Sequence, residues 1–307
     1  MKTAVALALT LAVVAAACSD DEADDTTVVD VAVQTTVATE TTEAPADTAP
    51  ADTTADTADG ECESANFLIE EVNAYEQTDG YPDPELAVEC TDDAFIVTTN
   101  GLINYEFNQI TPNDLVAQDN RYEIPRDPTE RSTPGAMPLG TTGVALNGVA
   151  IFGPFEAPQD DYQDPFLDGL LDFCNGHTAP GGVYHYHAGY ACLLEDPTAV
   201  GTIYGYLFDG YEIVSPWVCA NDDCSELREV TPSYVRMDET SLAAFTAWEY
   251  QEGSGDLDVC NGMVDADGIY RYHITSEFPY VPFCFHGETD TAQGDHDGEP
   301  PAGGPGG

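Results

Sequence analysis

The sequence predicts a mostly β, disulfide-stabilised domain of the β-sandwich or hairpin-rich kind, with an internal motif duplication and few short helices. Short apolar runs rich in Val, Ile, Tyr and Phe alternate with turn residues, whereas long runs of helical periodicity are scarce. Three Asn-Gly or Asp-Gly dipeptides with apolar flanks predict type I′ hairpin turns, because both central residues of that turn need positive φ. They are Asn100-Gly101, Asn147-Gly148 and Asp209-Gly210. Helix is expected only within residues 67–75 and 242–250.

Two pairs of segments reveal the duplication. GVALNGVAIFGP at 143–154 aligns with GYLFDGYEIVSP at 205–216, and LDFCNGHTAPGGVYHYH at 171–187 aligns with LDVCNGMVDADGIYRYH at 257–273. The offsets of the two pairs differ, which argues against a simple tandem array. We therefore expect two related half-sites within one domain.

The N-terminus indicates export. Residues 4–17 are small or apolar apart from Thr10, a length that suits the core of a signal peptide and is too short to span a bilayer. Ala15-Ala16-Ala17-Cys18 resembles a lipobox, which predicts a signal peptide over residues 1–17 and a lipid-modified Cys18. Ordinary secretion is the alternative, because Ala15 stands where Leu is usual. With no later run of about 20 apolar residues, the predicted protein is anchored outside the cytoplasm by its N-terminal lipid alone.

Composition divides the rest of the chain into three parts. Residues 18–60 are mostly Thr, Ala, Asp, Glu, Val and Pro without aromatic residues, so they are expected to form a disordered stalk. The segment 288–307 is rich in Gly, Pro and acidic residues and is expected to be a disordered tail. Residues 61–287 are long enough to form the folded domain.

Eight cysteines besides Cys18 are an even number, which in an exported protein predicts disulfides. A cysteine-ligated zinc site is the alternative, but no Cys-x-x-Cys pair occurs. Nearest-neighbour pairing predicts the disulfides Cys62–Cys90, Cys174–Cys192, Cys219–Cys224 and Cys260–Cys284.

The chain is strongly acidic, with 57 Asp and Glu against 7 Lys and Arg and a formal net charge of −50. Such a charge repels nucleic acid and anionic membrane surfaces. Cations are the expected partners, although for most of these residues a solvated acidic surface is the stronger explanation. The sequence indicates no particular protein partner.

The first copy of the long motif contains the candidate metal ligands. Successive side chains of a strand point to opposite faces, so His185 and His187 share one face while Tyr184 and Tyr186 take the other. The turn-forming segment after His177 can fold that residue back onto the same strand. Imidazoles held in this way suit a transition metal ion. Packing of His and Tyr without a metal, and general acid–base catalysis, are the alternatives.

The second copy keeps the last histidine, as His273, but has Arg271 and Met263 at the positions of the other two. If the two halves face each other, His273 completes a four-histidine centre with the histidines of the first copy. This set suits zinc or copper, and a nearby Met263 favours copper. Arg271 would instead orient an anion, a carboxylate or a bound substrate.

Two aspartates occupy equivalent motif positions. Asp172 and Asp258 each lie two residues before a cysteine, where they would cap a turn or bond to a ligand histidine. In an enzyme they, or a tyrosine, could act as acid or base.

Other polar residues are weaker candidates. The acidic residues within 160–172 and those of Asp265-x-Asp267 offer carboxylate oxygens that could bind calcium. No EF-hand pattern is present, and solvated surface loops are the default interpretation of these residues. His286 is a weaker metal ligand candidate, and His296 is expected to be exposed in the tail.

These observations leave three function classes. The first is a surface protein that binds a transition metal; the second is a metal-dependent hydrolase or copper redox enzyme; the third is a structural or adhesive module without catalysis. No Gly-x-Ser-x-Gly, Walker or His-Glu-x-x-His motif is present. A thiol nucleophile is not expected, because the cysteines of the folded domain are predicted to be paired.

The motif CNGHTAPGGVYHYH, preceded by LNGVAIFGP and followed by GYLFDGYEI, resembles the YHYH family of largely uncharacterised exported proteins. The resemblance spans roughly residues 90–287. It implies no reaction, and the departures at Met263 and Arg271 argue against a symmetric pair of metal sites. The signature residues carried over by position are Cys174, Gly176, His177, Gly182, Tyr184, His185, Tyr186 and His187.

Overall fold

The computed structural model describes residues 62–78, 80–189, 191–194, 196, 198–289 and 304. The predicted signal peptide, Cys18, the stalk and His296 lie outside the described residues. Within the described ranges the chain forms 17 strands and two short α-helices. The prediction of a mostly β fold is therefore confirmed. None of the described helices is long and apolar enough to cross a membrane.

The elements follow one another along the chain with short strands throughout. The strands are β1 (Leu86–Cys90), β2 (Ala94–Thr99), β3 (Asn120–Pro125), β4 (Glu130–Ala136), β5 (Gly143–Ala145), β6 (Ala150–Ile151), β7 (Gly176–Thr178), β8 (Tyr184–Tyr186), β9 (Ile203–Leu207), β10 (Glu212–Val214), β11 (Trp217–Cys219), β12 (Leu227–Glu229), β13 (Tyr234–Arg236), β14 (Trp248–Tyr250), β15 (Gly262–Val264), β16 (Tyr270–His273) and β17 (Cys284–Gly287). The α-helices are α1 (Ile69–Asn73) and α2 (Ala244–Ala247), and 3₁₀ turns cover Glu63–Asn66, Pro158–Asp160 and Ala191–Leu193.

The largest sheet has eight strands in the order β15-β16-β10-β9-β5-β6-β8-β7. Its central strands β5 and β9 are antiparallel, and Val144 pairs with Tyr206, its own equivalent in the shorter repeat. On both sides the pattern continues identically: an antiparallel hairpin partner, then a parallel strand, then an antiparallel edge strand. The duplication therefore forms a sheet with approximate two-fold symmetry about the β5–β9 pair.

Two of the three predicted hairpins are confirmed, but the predicted type I′ geometry is wrong, because φ is positive at Gly148 and Gly210 and not at Asn147 or Asp209. Asn147-Gly148 joins β5 to β6, and Asp209-Gly210 joins β9 to β10. The prediction at Asn100-Gly101 is wrong, because β2 pairs with β3 only after the intervening residues 100–119, with Thr99 opposite Asn120. The Asn100 side chain instead bonds to the backbone of residues 83 and 85, which precede β1.

The excursion over residues 100–119 covers the hairpin of β7 and β8. The backbone N–H of Val116 donates to the Gly182 carbonyl at 3.0 Å. The Thr111 hydroxyl and the Asn113 amide both donate to the Thr178 carbonyl, at 2.7 and 2.9 Å. A tight turn at residue 100 would have left this hairpin exposed at the edge of the sheet.

A second sheet, β1-β2-β3, packs on the centre of the large one. Phe95 of β2 contacts Tyr206 with ring centroids 4.9 Å apart, and Tyr122 of β3 contacts Phe208 at 5.1 Å. All four side chains are buried. The remaining described strands form the pairs β11–β12, β13–β14 and β17–β4.

The four disulfides join the cysteines that nearest-neighbour pairing predicts.

The helix predictions are confirmed in part. Residues 69–73 of the first expected segment are helical, while the second contains α2 followed by the strand β14.

Each copy of the long motif contains the same side-chain frame. Asp172 accepts the Tyr184 hydroxyl at 2.7 Å and the backbone N–H of Cys174 at 2.8 Å. Asp258 accepts the Tyr270 hydroxyl at 3.0 Å and the backbone N–H of Cys260 at 2.9 Å. A glycine at the start of each hairpin, Gly176 or Gly262, leaves room for the tyrosine, since an added Cβ would overlap its hydroxyl.

We predict that Gly176→Ala and Gly262→Ala each lower the free energy of unfolding by about 1–3 kcal/mol, the usual effect of overpacking. Each alanine pushes a tyrosine hydroxyl away from its aspartate. Urea unfolding measures the effect. Gly189→Ala is the control, because its Cβ meets only the Ile274 side chain, whose nearest atom is the terminal Cδ1 at 3.3 Å. Equal unfolding midpoints for all three variants would contradict the proposed fit.

Candidate metal centre

The hairpin of β7 and β8 brings the three motif histidines together. His177 lies directly opposite His185 in the antiparallel register, and His187 follows β8. The rings of His185 and His187 lie on one face, while Tyr184 and Tyr186 both bond to the Tyr105 hydroxyl on the other, at 3.1 and 2.9 Å. The alternation expected for a strand is therefore confirmed.

Asn175 shapes the backbone that leads into this hairpin. It adopts a left-handed conformation with φ 60°, which asparagine tolerates better than most residues. Its carbonyl accepts the backbone N–H of His187 at 3.2 Å, and its side-chain amide donates to the Gly189 carbonyl at 2.6 Å. The residue thereby joins the two ends of the histidine hairpin.

All three imidazoles direct the same nitrogen at a backbone carbonyl. The Nδ1 atoms of His177, His185 and His187 lie 2.9, 3.1 and 2.5 Å from the carbonyl oxygens of residues 170, 183 and 153. A carbonyl oxygen only accepts hydrogen bonds, so each Nδ1 carries the proton and each Nε2 presents a lone pair. Phe152 stacks on the His185 ring at 3.8 Å and holds its orientation.

The Nε2 lone pairs converge. His185 Nε2 lies 2.8 Å from His187 Nε2, and the ligand atoms of the three histidines all lie within 4.8 Å of one another. The side chains are 1–3 % exposed. Two neutral nitrogen acceptors at this distance repel each other unless a proton or a cation lies between them.

Burial makes the proton unfavourable. It lowers the pKa of His187 to about 3, with the neighbouring His177 adding to the shift. The pKa of His185 falls well below its usual value for the same reason, and that of His177 is also lowered. The rings are therefore neutral at physiological pH, which is the form that binds metals.

Glu156 completes the cluster, and sequence reasoning missed it. Its Oε1 atom lies 3.2 Å from His177 Nε2 and 3.9 Å from His187 Nε2. The same atom is buried and has no hydrogen-bond partner among the described residues. Burial, with Asp160 and Asp168 nearby, raises the pKa of this carboxyl to about 7. Glu156 lies outside both repeated segments, two residues after the end of the shorter one, so no sequence signal marks it.

The donor set fits a transition metal ion. Around a tetrahedral ion with bonds of 2.0–2.1 Å, neighbouring ligand atoms lie about 3.3 Å apart, and the Nε2 atoms of His185 and His187 lie 2.8 Å apart. Metal-binding histidines commonly donate their other ring N–H to a carbonyl, as all three do. The ligand atoms that all lie within 4.8 Å of one another are those of the three histidines, and Glu156 is not in that group. Glu156 therefore lies beside the fourth ligand position and does not occupy it.

The cluster opens into a cavity of about 440 Å³. All three histidines and Glu156 line it, together with the Phe152 ring and the backbone of Gly153. Such a volume is in the range of small-molecule sites.

The prediction that His273 completes the centre is not supported. β16 and β8 are five strands apart in the sheet, roughly 24 Å at the usual strand spacing. His273 instead repeats the role of His187 in the other half, with Nδ1 2.7 Å from the Ser215 carbonyl. The halves lie side by side in one sheet and do not face each other.

Met263 and Arg271 lie in the same distant half, paired with each other across β15 and β16. Met263 is therefore no neighbour of the histidine cluster and gives no reason to prefer copper there. Arg271 forms ion pairs with Glu212, at 2.6 Å, and with Asp265. Its guanidinium is held by this chain's own carboxylates, which differs from the expected role of orienting a ligand anion.

The remaining sequence candidates have structural roles. Asp172 and Asp258 cap turns and bond to tyrosines, and no hydrogen bond of either to a histidine is found among the described residues. His286 stacks on Tyr270 at 3.5 Å. In the described part of the chain no group of three or more carboxylates is close enough to share an ion, so the calcium alternative gains no support. Cys62 and Cys90 gather near Glu63 but are joined by a disulfide.

Comparison with known families agrees with this architecture. The model of the YHYH protein family matches residues 121–287, more than half of the chain, and the chain belongs to that family. The matched region contains both copies of the motif and Glu156. No curated protein and no solved structure matches the chain.

We predict that, with both proteins free of metal, the free energy of unfolding falls more steeply with decreasing pH in the wild type than in a His187→Gln variant. The pKa of His187 is about 3 in the fold against 6.5 in the unfolded chain. Between these values only the unfolded chain holds the proton, so the free energy of unfolding falls as pH decreases, by up to about 1.4 kcal/mol per pH unit. Urea unfolding in chelator across this window measures both proteins. A difference between them that is independent of pH would contradict the prediction.

Proposed function

We propose that this protein is an exported lipoprotein whose YHYH domain binds one divalent transition metal ion through His177, His185 and His187. The observation that carries the proposal is the convergence of three Nε2 lone pairs in a buried site that opposes protonation. A cation bound between the rings removes their repulsion, and no other described group offers that charge. The carboxylate of Glu156 adds a negative charge that further favours a cation.

We place zinc ahead of copper. Met263, the residue that would favour copper, lies in the other half of the sheet. Three imidazoles with one open position are typical of catalytic zinc sites. Copper binds such nitrogen sites more tightly than zinc in general, so it is the natural competitor.

Export is supported by the four disulfides, which form and persist in oxidising compartments. We propose that Cys18 carries the lipid and that residues 19–60 hold the domain away from the membrane. The acidic charge of the chain favours cations over nucleic acid as partners.

Metal content tests the site. Protein purified without an affinity tag is expected to retain about one equivalent of zinc after dialysis, measured by elemental analysis. The double variant His185→Ala/His187→Ala is expected to lose it, because two of three ligands are gone. A single His187→Ala change should weaken binding by more than the roughly 10–100-fold typical of outer-shell changes.

His273→Ala is the matched control for His187→Ala. Both histidines are buried, end the same motif and donate Nδ1–H to an equivalent carbonyl. The control should bind zinc as the wild type does. Wild-type protein that holds no zinc and also rejects added zinc and copper would refute the metal site.

Replacing Cys18 tests the anchor. Cys18→Ala is expected to move the exported protein from the membrane fraction to the soluble fraction, because the cysteine thiol is the point of lipid attachment. Immunoblots of fractions washed with high salt would measure this. Wild-type protein found only in the soluble fraction would show that residues 1–17 direct ordinary secretion.

A further inference from the structure

The histidine cluster differs from a closed structural metal site in one respect. All three rings line the same 440 Å³ cavity, so one side of the cluster is open to a small molecule. Structural zinc sites are closed by four protein ligands, whereas catalytic sites have three and leave a position for water or substrate. The position opposite the three nitrogens faces this cavity.

Glu156 lies at the edge of that open position. Its Oε1 is buried and has no hydrogen-bond donor among the described residues, which is unfavourable for a carboxylate oxygen. It is closest to His177 and His187, and it is not equidistant from the three rings as a fourth ligand would be. A water in the open position would be within reach of this oxygen and would satisfy it.

We propose that the site is a hydrolytic centre with Glu156 as the general base, acting on neutral or cationic esters or amides. This proposal rests on the metal site proposed above. A divalent ion in the site would polarise the water and the substrate carbonyl. Glu156 takes a proton from the water, and the water oxygen forms a bond to the carbonyl carbon. The bond from that carbon to the leaving oxygen or nitrogen then breaks, and Glu156 returns the proton to the leaving group.

The charge of the cavity indicates the substrate class. No Lys or Arg is among the residues that line it, whereas Asp160 and Asp168 are. A phosphate ester or a carboxylate-bearing substrate would therefore enter against the negative charge of these two aspartates, and the cavity lining offers it no cationic side chain. Leu139, Phe152 and Pro180 form an apolar part of the cavity wall, which suits an acyl group.

Kinetics with the zinc-loaded full-length protein test the proposal. The neutral probe is p-nitrophenyl acetate and the cationic probe is alanine p-nitroanilide. Their anionic counterparts are p-nitrophenyl phosphate and succinyl-alanine p-nitroanilide. We expect hydrolysis of the first pair and at least about 10-fold lower kcat/KM for the second. Glu156→Gln should lose about 10²–10⁴ in kcat/KM, the range for general acid–base catalysis, while still binding zinc.

Glu63→Gln is the matched control. Its side chain is 20 % exposed against 19 % for Glu156, it pairs with Arg126, and neither residue lines the cavity. The control should leave the kinetics unchanged.

The outcomes separate the two proposals. Wild-type protein that binds zinc but cleaves neither the neutral nor the cationic probe would overturn the hydrolase and leave the metal site intact. Loss of zinc from Glu156→Gln would make Glu156 a ligand and overturn its role as base. Faster cleavage of the anionic probes would overturn the substrate class. Absence of zinc from the wild type would overturn both proposals.

Discussion

The candidate site depends on three hydrogen bonds from imidazole Nδ1–H groups to backbone carbonyls. These bonds hold the protons on the outer nitrogens, so three Nε2 lone pairs point into one small volume. The separation of 2.8 Å between two of them is unfavourable in a buried, low-dielectric setting unless positive charge lies between the rings. Burial lowers the pKa of each ring and thus opposes a proton, so the three neutral rings form a group that could hold a metal ion.

The two symmetry-related halves of the large sheet share one side-chain frame but differ in the charged and metal-binding types of residue that they add to it. Both halves contain the aspartate–tyrosine bond, the left-handed asparagine and a final histidine that donates to an equivalent carbonyl. Only one half adds two more histidines and a carboxylate. In the other half Arg271 provides a built-in cation, neutralised by Glu212 and Asp265. One scaffold thus supports a cluster of histidines in one half and an arginine–carboxylate network in the other.

Local reasoning succeeded where the determining interactions are close in sequence. The turns at Asn147 and Asp209, the nearest-neighbour disulfides and the alternation of His and Tyr on β8 all follow from backbone preferences over a few residues. It failed at Asn100, where the side chain bonds to an earlier loop and the chain instead runs out to cover the histidine hairpin. There a contact between distant segments outweighed the turn preference of the Asn-Gly pair.

The sequence alone determined that the fold is mostly β, that the motif is duplicated, and that three histidines meet on one hairpin. Period-two alternation and short turns act over a few residues, so the amino-acid pattern contains them. Only the tertiary structure decided which further groups join the histidines. Strand order places His273 and Met263 at the far side of the sheet, and it brings Glu156 to the cluster from a segment without a motif. Strand order depends on pairings between residues far apart in the chain, and one sequence read alone holds no local signal for them.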